Sequence, residues 1–497
     1  MSEVATNYVE PQLDSNISST TKSTSLPTDR LERVWGWGMA DSAVEYVYQP
    51  STAEGVAVVF ETAKRTNRKI AIRGAGRSYG DASIGSEEIS LDLTRFNRIL
   101  DWDPSTGVII VEPGVTISDI WRHCIGDGWW PYVVPGTMFP TIGGVASMNI
   151  HGKNNFAVGT IGDHILHFEI LLPNGETRSC SREVNAELFH AAIGGFGMLG
   201  CFLTITLELK RIYSGKLKVL PISCPDLRSM MDAFETRSGT ADYLVAWLDC
   251  FGKGTGLGRG LMHQANYLQQ GEDSAPFNSL KMENQELPDT FLFGLVPKSM
   301  MWRFMKPFVR NTGMHFINWA KYQSGKLSHL KSHMESHAGF AFLLDYVPNW
   351  KWSYRPGGLI QYQSFIPKET AYDVFRKQVE LQHKFGIISY LGVMKRHRED
   401  PFLMTHAVDG FSLALDFKVT KKNKARLWKL CAEMDELVLH NGGRFYFAKD
   451  STIRAERMSD YLQEERVQAF LKLKKQVDPE NMLQTNLYRR VFGQDST

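Results

Sequence analysis

The sequence predicts an α+β chain of at least two domains, and three observations carry that expectation. The 497 residues are 43% hydrophobic, enough for more than one packed core. Short strand-like and helical runs alternate as far as about Lys210. Beyond it, longer strand-like runs are followed by long helical ones.

Taken in order, Val44 to Thr66 is helix-compatible and leads into the β-type run Lys69 to Ile72, which stops at a glycine-rich loop. Strands are expected at Ser90 to Leu93 and at Val108 to Val111, then a turn at Glu112-Pro113-Gly114 and a helix capped by Ser118. Phe168 to Leu172, the turn Pro173-Asn174-Gly175 and Glu176 to Cys180 give a hairpin signal, and Cys201 to Leu209 alternates like a half-buried strand. In the second part Tyr243 to Leu248, Leu359 to Ile366 and Phe411 to Val419 are strand-like, while Asp373 to Phe385 and Lys422 to His440 are helical.

Charge and cysteine usage exclude several functions. With 56 Lys and Arg against 54 Asp and Glu, no bulk attraction for nucleic acid exists. Six scattered cysteines without a C-x-x-C pair argue against a metal site or a disulfide framework, and point to free thiols in a reducing, cytoplasmic setting. Residues 1–30, rich in Ser, Thr and Asn and without a signal-peptide pattern, are expected to be a disordered tail. Without an apolar run of roughly 18 residues, the chain is expected to be soluble or peripheral to a membrane. Between Thr290 and Met334 there are seven Lys or Arg, many aromatics and no acidic residue. The expectation is a cap helix with its aromatics turned inward; the alternative is contact with an anionic membrane.

Three glycine clusters carry the chemistry. The loop Arg73-Gly74-Ala75-Gly76-Arg77-Ser78-Tyr79-Gly80-Asp81 follows a strand and offers backbone N–H groups to a diphosphate. Its G-x-G-x-x-x-G spacing and the absence of a following amphipathic helix fit a Rossmann unit poorly. Pro135-Gly136-Thr137 and the run Thr141 to Asn154, with Gly143, Asn149, His151 and Lys153, let backbone lie flat on a planar ligand. A short helix from Glu187 runs into Gly194-Gly195-Phe196-Gly197-Met198-Leu199-Gly200, a third place for close approach or simply a helix end.

In this order the clusters resemble the FAD-binding domain of the vanillyl-alcohol-oxidase and p-cresol-methylhydroxylase (PCMH) family. The likeness runs from about Trp35-Gly36-Trp37-Gly38 to Val477-Asp478-Pro479, through Gln361-Tyr362-Gln363, Tyr390 to Lys395 and Gly443 to Ser451. It implies a two-part PCMH-type FAD-binding domain over residues 31–212, a sheet-based α+β substrate cap over 213–442, and a C-terminal segment over 443–497 that returns to the FAD site.

Residue by residue, the resemblance implies that Arg73, Gly74, Ala75, Gly76, Arg77, Ser78 and Tyr79 hold the diphosphate. Pro135, Gly136, Thr137, Gly143, Asn149, His151 and Tyr446 line the flavin, and Gly197 lies near the adenosine. Arg77 stands where relatives with covalent flavin carry a histidine, so the FAD should be non-covalent. Lys449, Tyr446, His151 and Tyr79 are the implied catalytic residues, and Gln363, Lys395 and Lys449 the implied substrate contacts. Ala414 and Ser412 replace a cysteine and an asparagine found in part of the family.

The activity implied is oxidation of a secondary hydroxyl of a polyprenyl-phosphate-linked pentose to its 2-keto form, half of an epimerisation that an NAD(P)H-dependent reductase partner completes. The alternative is a soluble sugar-lactone or alditol oxidase. A non-catalytic flavin-binding module is the third reading, opposed by the joint presence of Lys449, Tyr446 and Gln363.

Overall fold

A computed structural model describes residues 25–291 and 296–493. The expected tail lies outside the described residues as far as residue 24, and residues 292–295 of the basic stretch lie outside them too.

Four strands form the first sheet, in the order β1-β2-β4-β3: β1 (Leu31–Trp35), β2 (Ser42–Tyr48), β3 (Ile70–Arg73) and β4 (Ile89–Asp92). The helix Ala53–Thr66 covers it, burying Val56, Val59, Phe60 and Ala63, the positions of one helical face. The helix expected from Val44 is therefore half strand. Val44, Tyr46, Val47 and Tyr48 are strand formers, Pro50 lacks the N–H a continuing helix needs, and Thr52 caps the true helix by accepting from Gly55 N (3.1 Å).

The second sheet runs β5-β6-β10-β8-β9, with β7 also paired to β10. Its strands are β5 (Ile99–Asp103), β6 (Val108–Val111), β7 (Trp129–Pro131), β8 (Ile165–Leu171), β9 (Thr177–Ser181) and β10 (Cys201–Arg211). The hairpin read around Asn174-Gly175 is β8–β9. The helix Ile117–Cys124 is capped by Thr116, not Ser118: Thr116 Oγ1 accepts from Asp119 N (3.1 Å) while Thr116 N donates to the Asp119 carboxylate (2.9 Å). Ser118 is buried inside the first turn and accepts from Arg122 Nε (3.1 Å).

The third sheet has eight strands in the order β16-β11-β13-β12-β18-β19-β17-β20. They are β11 (Lys216–Cys224), β12 (Tyr243–Leu248), β13 (Gly260–Tyr267), β16 (His333–Ser336), β17 (Leu359–Pro367), β18 (Gly392–His397), β19 (Gly410–Lys418) and β20 (Arg444–Phe445); β14 (Thr290–Phe291) and β15 (Val296–Pro297) pair apart from it. One face is covered by the helices Leu227–Arg237, Lys368–Phe385 and Lys424–His440. One contiguous core joins this sheet to the second sheet and to the C-terminal helices. The chain after β20 returns to the first domain, where Ile70 N donates to Met482 O (2.8 Å).

The inward packing expected for the basic stretch occurs only in part: Val309 and Tyr322 are buried and Trp302 packs on Trp352. Phe304, Phe308, Phe316 and Trp319 are exposed, at 53, 45, 60 and 46% of their surface. They sit on short helices and on the helix Asn311–Leu327, which buries only Asn318 and Tyr322, so this segment has too narrow a contact face to cover all its aromatics.

Candidate active site

A cavity of about 700 Å³ separates the first two sheets from the open face of the third. Its floor is backbone. Gly74 to Tyr79 line it, joined by Pro135, Gly136, Thr137, Gly143, Gly144, Phe196 and Gly197. A Cβ on Gly74 would stand 2.0 Å from Thr141 Oγ1, and Gly76 takes φ +60°, so this loop tolerates no side chain at either position. Thr137 Oγ1 donates to Asp345 Oδ1 (2.7 Å) and Met138 N to Asp345 Oδ2 (2.8 Å), pinning the second cluster to the cap. Arg77 stacks on Trp37, its guanidinium carbon 4.2 Å from the ring centroid.

Two expected cofactor residues do not face this space. Arg73 points beneath its loop and donates to Ser83 O (3.2 Å) and Trp35 O (2.9 Å), which holds the loop in shape. Asn149 is fully buried: its Nδ2 donates to Asp400 (3.1 Å) and its Oδ1 accepts from Gly162 N (3.0 Å). A positive φ of 42° turns the backbone at Asn149 and sends the side chain away from the cavity.

The roof is made of side chains. Strand alternation puts Gln361 and Gln363 (β17), Ser412 and Ala414 (β19), Val393 and Lys395 (β18), Val245 and Trp247 (β12) and His263 (β13) on the cavity face. His151, Tyr446 and Lys449 close one end. Lys449 Nζ lies 3.8 Å from the ring centroid of Tyr79, whose buried hydroxyl has no partner among the described residues. Asp450, next to Lys449, pairs instead with Arg490, which also holds Asp81. The C-terminal helix thus ties the first glycine loop to the Lys449 turn.

Burial shapes the titration of this group. It lowers the Lys449 ammonium, with Asp416 opposing and Lys395 assisting, and it pushes Lys395 down to about 8. Burial raises the Tyr446 and Tyr79 phenols, so both keep their protons. His151 is held well below the usual imidazole range by burial and by Lys395, and stays neutral.

Proton counting links two of the expected substrate contacts, Lys395 and Gln363. Lys395 Nζ is 3.4 Å from His151 Nδ1, and the Gln363 amide nitrogen is 3.1 Å from His151 Nε2. With Lys395 neutral, Nδ1–H donates to it and the amide N–H donates to Nε2. With Lys395 charged, Nδ1 accepts, Nε2 carries the proton and Gln363 must present its oxygen.

Sequence reasoning missed several residues here. His397 Nε2 lies 2.7 Å from Ser412 Oγ and its Nδ1 3.0 Å from Asn155 Oδ1, so Ser412 orients both His397 and Gln363. Asp416, which accepts from Gln361 (2.5 Å), is the carboxylate that bears on Lys449. Asp416 lies on a strand already read, two residues from Ala414, and period-two alternation would have found it; His397 is two residues from Lys395 but on β18, a strand the sequence reading did not mark.

The floor suits FAD on its own terms: glycines lacking room for a Cβ, a cavity of ligand size, and buried Arg77 Nε and Tyr79 hydroxyl without partners among the described residues. Fold and site define an FAD-dependent oxidoreductase with a PCMH-type domain, and residues 44–181 match the family profile of an FAD binding domain. Over most of its length the chain is similar to the decaprenylphosphoryl-β-D-ribose oxidase of Mycolicibacterium smegmatis, 28% identical across 94% of this chain and 99% of that protein. It is also similar to a putative D-arabinono-1,4-lactone oxidase of Neurospora crassa, 28% identical across 38% of this chain and 33% of that protein. Bovine L-gulonolactone oxidase is 27% identical across 33% of this chain and 37% of that protein.

Proposed function

We propose that the chain oxidises a secondary hydroxyl of a polyprenyl-phosphate-linked pentose to its 2-keto form, with FAD held non-covalently in the glycine-lined cavity. The observation that carries this reading is that Lys449, Lys395, Gln363 and Tyr446 line the same cavity as that cradle. Residues 31–212 would hold the cofactor, 213–442 cover the substrate, and 443–497 bring Tyr446 and Lys449 back to it. Similarity to the ribose oxidase extends through the cap, whereas the lactone oxidases match a third or so of either chain, so the soluble-lactone reading ranks second.

Bound FAD supplies the acceptor for a hydride from the carbinol carbon. The hydroxyl proton needs a base whose pKa lies near the working pH. Among the groups at this end, the tyrosines are raised and His151 has both ring nitrogens engaged, leaving Lys449, lowered by burial. Lys395 retains the charge that stabilises the developing alkoxide, and Gln363 orients the sugar. With Arg77 rather than histidine in the first loop, no side chain there is placed to bond the flavin covalently.

An NAD(P)H-dependent reductase would complete the epimerisation. No helix among the described residues is long and apolar enough to cross a membrane. The exposed Phe304, Phe308, Phe316 and Trp319, set among Lys306, Arg310 and Lys326, suit peripheral contact with the membrane that carries such a substrate.

The test is an anaerobic visible titration. Bleaching of the flavin band by polyprenyl-phosphoryl ribose and not by free pentoses or lactones is expected; bleaching by a lactone alone would replace this reading with the second.

A further inference from the structure

The roof carries a second pair of basic side chains that the oxidation step does not use. His263 on β13 is registered opposite Val245 on β12. Ala246 faces Met394 on β18, and continuing that register puts Val245 opposite Lys395. His263, Val245 and Lys395 therefore form one row across three strands, and His263 stands two strand spacings, about 10 Å, from Lys395. Lys321 reaches the same space from the helix Asn311–Leu327, its Nζ 4.5 Å from the ring centroid of Trp247. Lys321 forms no ion pair and the His263 ring no hydrogen bond among the described residues, although both line the cavity. Lys153, also on this side, already donates to the carbonyls of Phe340 and Ala341 (3.1 Å to the latter).

Charged groups that bear on His263 are Lys321 on the helix, Lys153 from the second glycine cluster and His333 on β16; Glu335 of β16 lies near Lys153 and His333. The local field is thus positive with one carboxylate, Glu335, which bears on Lys153 and His333. Lys321 borders the cavity and keeps open surface.

We propose that Lys321 and His263 form a phosphoryl-recognising subsite at the β13 end of the cavity, across the sheet from Gln363 and Lys449. This rests on the lipid-linked sugar reading and deepens it. A pentose whose 2-hydroxyl lies at Lys395 and Lys449 would extend its 1-phosphoryl group along the row toward His263. Lys321 would donate to the phosphoryl oxygens from above, on a helix whose other residues Phe316 and Trp319 face outward, where a polyprenyl chain leaves. Burial beside Lys321 pushes His263 down to about 4, so it is neutral until an anion arrives. A bound phosphoryl group reverses that field and draws a proton onto the ring.

Calorimetry on the FAD-loaded enzyme tests this with farnesyl phosphate, ribose 5-phosphate and farnesol as probes. Lys321→Met is expected to weaken farnesyl phosphate about 10- to 100-fold, the loss of a charged hydrogen bond, and to leave farnesol unchanged. Lys321→Arg should restore phosphate binding, which separates the cation from a folding defect. Near pH 7 wild-type binding should take up protons, read as an enthalpy that changes with buffer, and His263→Asn should abolish the uptake. Equal farnesyl phosphate affinity in wild type and Lys321→Met overturns the subsite, as does failure of wild type to bind either phosphate. Lys321-dependent binding of ribose 5-phosphate without farnesyl phosphate would keep a phosphoryl subsite and overturn the lipid reading instead.

Discussion

The two walls of the cavity are built from different materials. The floor presents backbone from three contiguous glycine runs and no carboxylate of its own; Asp345 of the cap meets it, engaged by Thr137 and Met138. The roof presents side chains, one or two from each of five strands, with Lys321 laid across from a helix. A cofactor with a fixed shape can be held by main-chain N–H groups at fixed spacing, whereas a hydroxyl that loses a proton and a hydride needs groups whose charge can change. The floor therefore tolerates no added atoms at Gly74, Gly76 or Gly143, and the roof tolerates no altered charge.

Removing the central charge should have the largest effect. Lys449→Ala is expected to slow substrate-driven flavin reduction about 10²- to 10⁴-fold, as for loss of a general base, while the protein still purifies yellow. Stopped-flow reduction under anaerobic conditions measures it. A rate within a few-fold of wild type would return the base role to another group and dissolve the contrast between the walls.

Adding atoms to the floor comes second. In Gly74→Val the new Cβ meets Thr141 Oγ1 at 2.0 Å and Thr141 Cβ at 3.2 Å. Overpacking of about 1–3 kcal/mol should lower FAD affinity roughly 10- to 100-fold. Fluorescence titration of apoprotein with FAD reads this, and undiminished affinity would mean that the loop shifts freely and does not shape the cofactor site.

The pH profile divides the roof further. Lys449 acts when neutral, so the reduction rate rises with pH as its lowered pKa is passed. Lys395 acts when charged, so the rate falls above about pH 8. Each limb should approach tenfold per pH unit. In Lys395→Met the alkaline limb disappears, and its persistence would assign that limb elsewhere. His151, neutral throughout, adds no limb near 6.5.

The same contrast explains what was legible in the sequence. Glycine clusters are contiguous, so Gly74 to Tyr79, Gly136, Thr137, Gly143 and Gly197 could be read from order and spacing, and each borders the cavity. The roof is assembled by sheet register between residues more than a hundred positions apart. Lys395, Gln363 and Lys449 came from family resemblance, and His397, Asp416, His263 and Lys321 were not seen at all. Strands β8, β9, β12, β17 and β19 were legible from alternation and turn chemistry, but β2 was not, because Val44 to Thr66 reads as one helix until Pro50 is given its weight.

Asn149 tests where the floor ends. Its neighbours Ile150 and His151 border the cavity, yet its own side chain bridges Gly162 N and Asp400 behind the wall. Asp400 is pushed up to about 6 by burial, so the bridge joins groups with little access to water. Asn149→Ala strands both and puts alanine at a φ of 42°, and the loss of about 1–3 kcal/mol should lower the Tm by a few degrees. The flavin absorption maxima should not move, because no atom of that side chain meets the cavity. A shifted spectrum at unchanged Tm would instead bring Asn149 into the cofactor site and make the floor, at that one position, a surface of side chains like the roof.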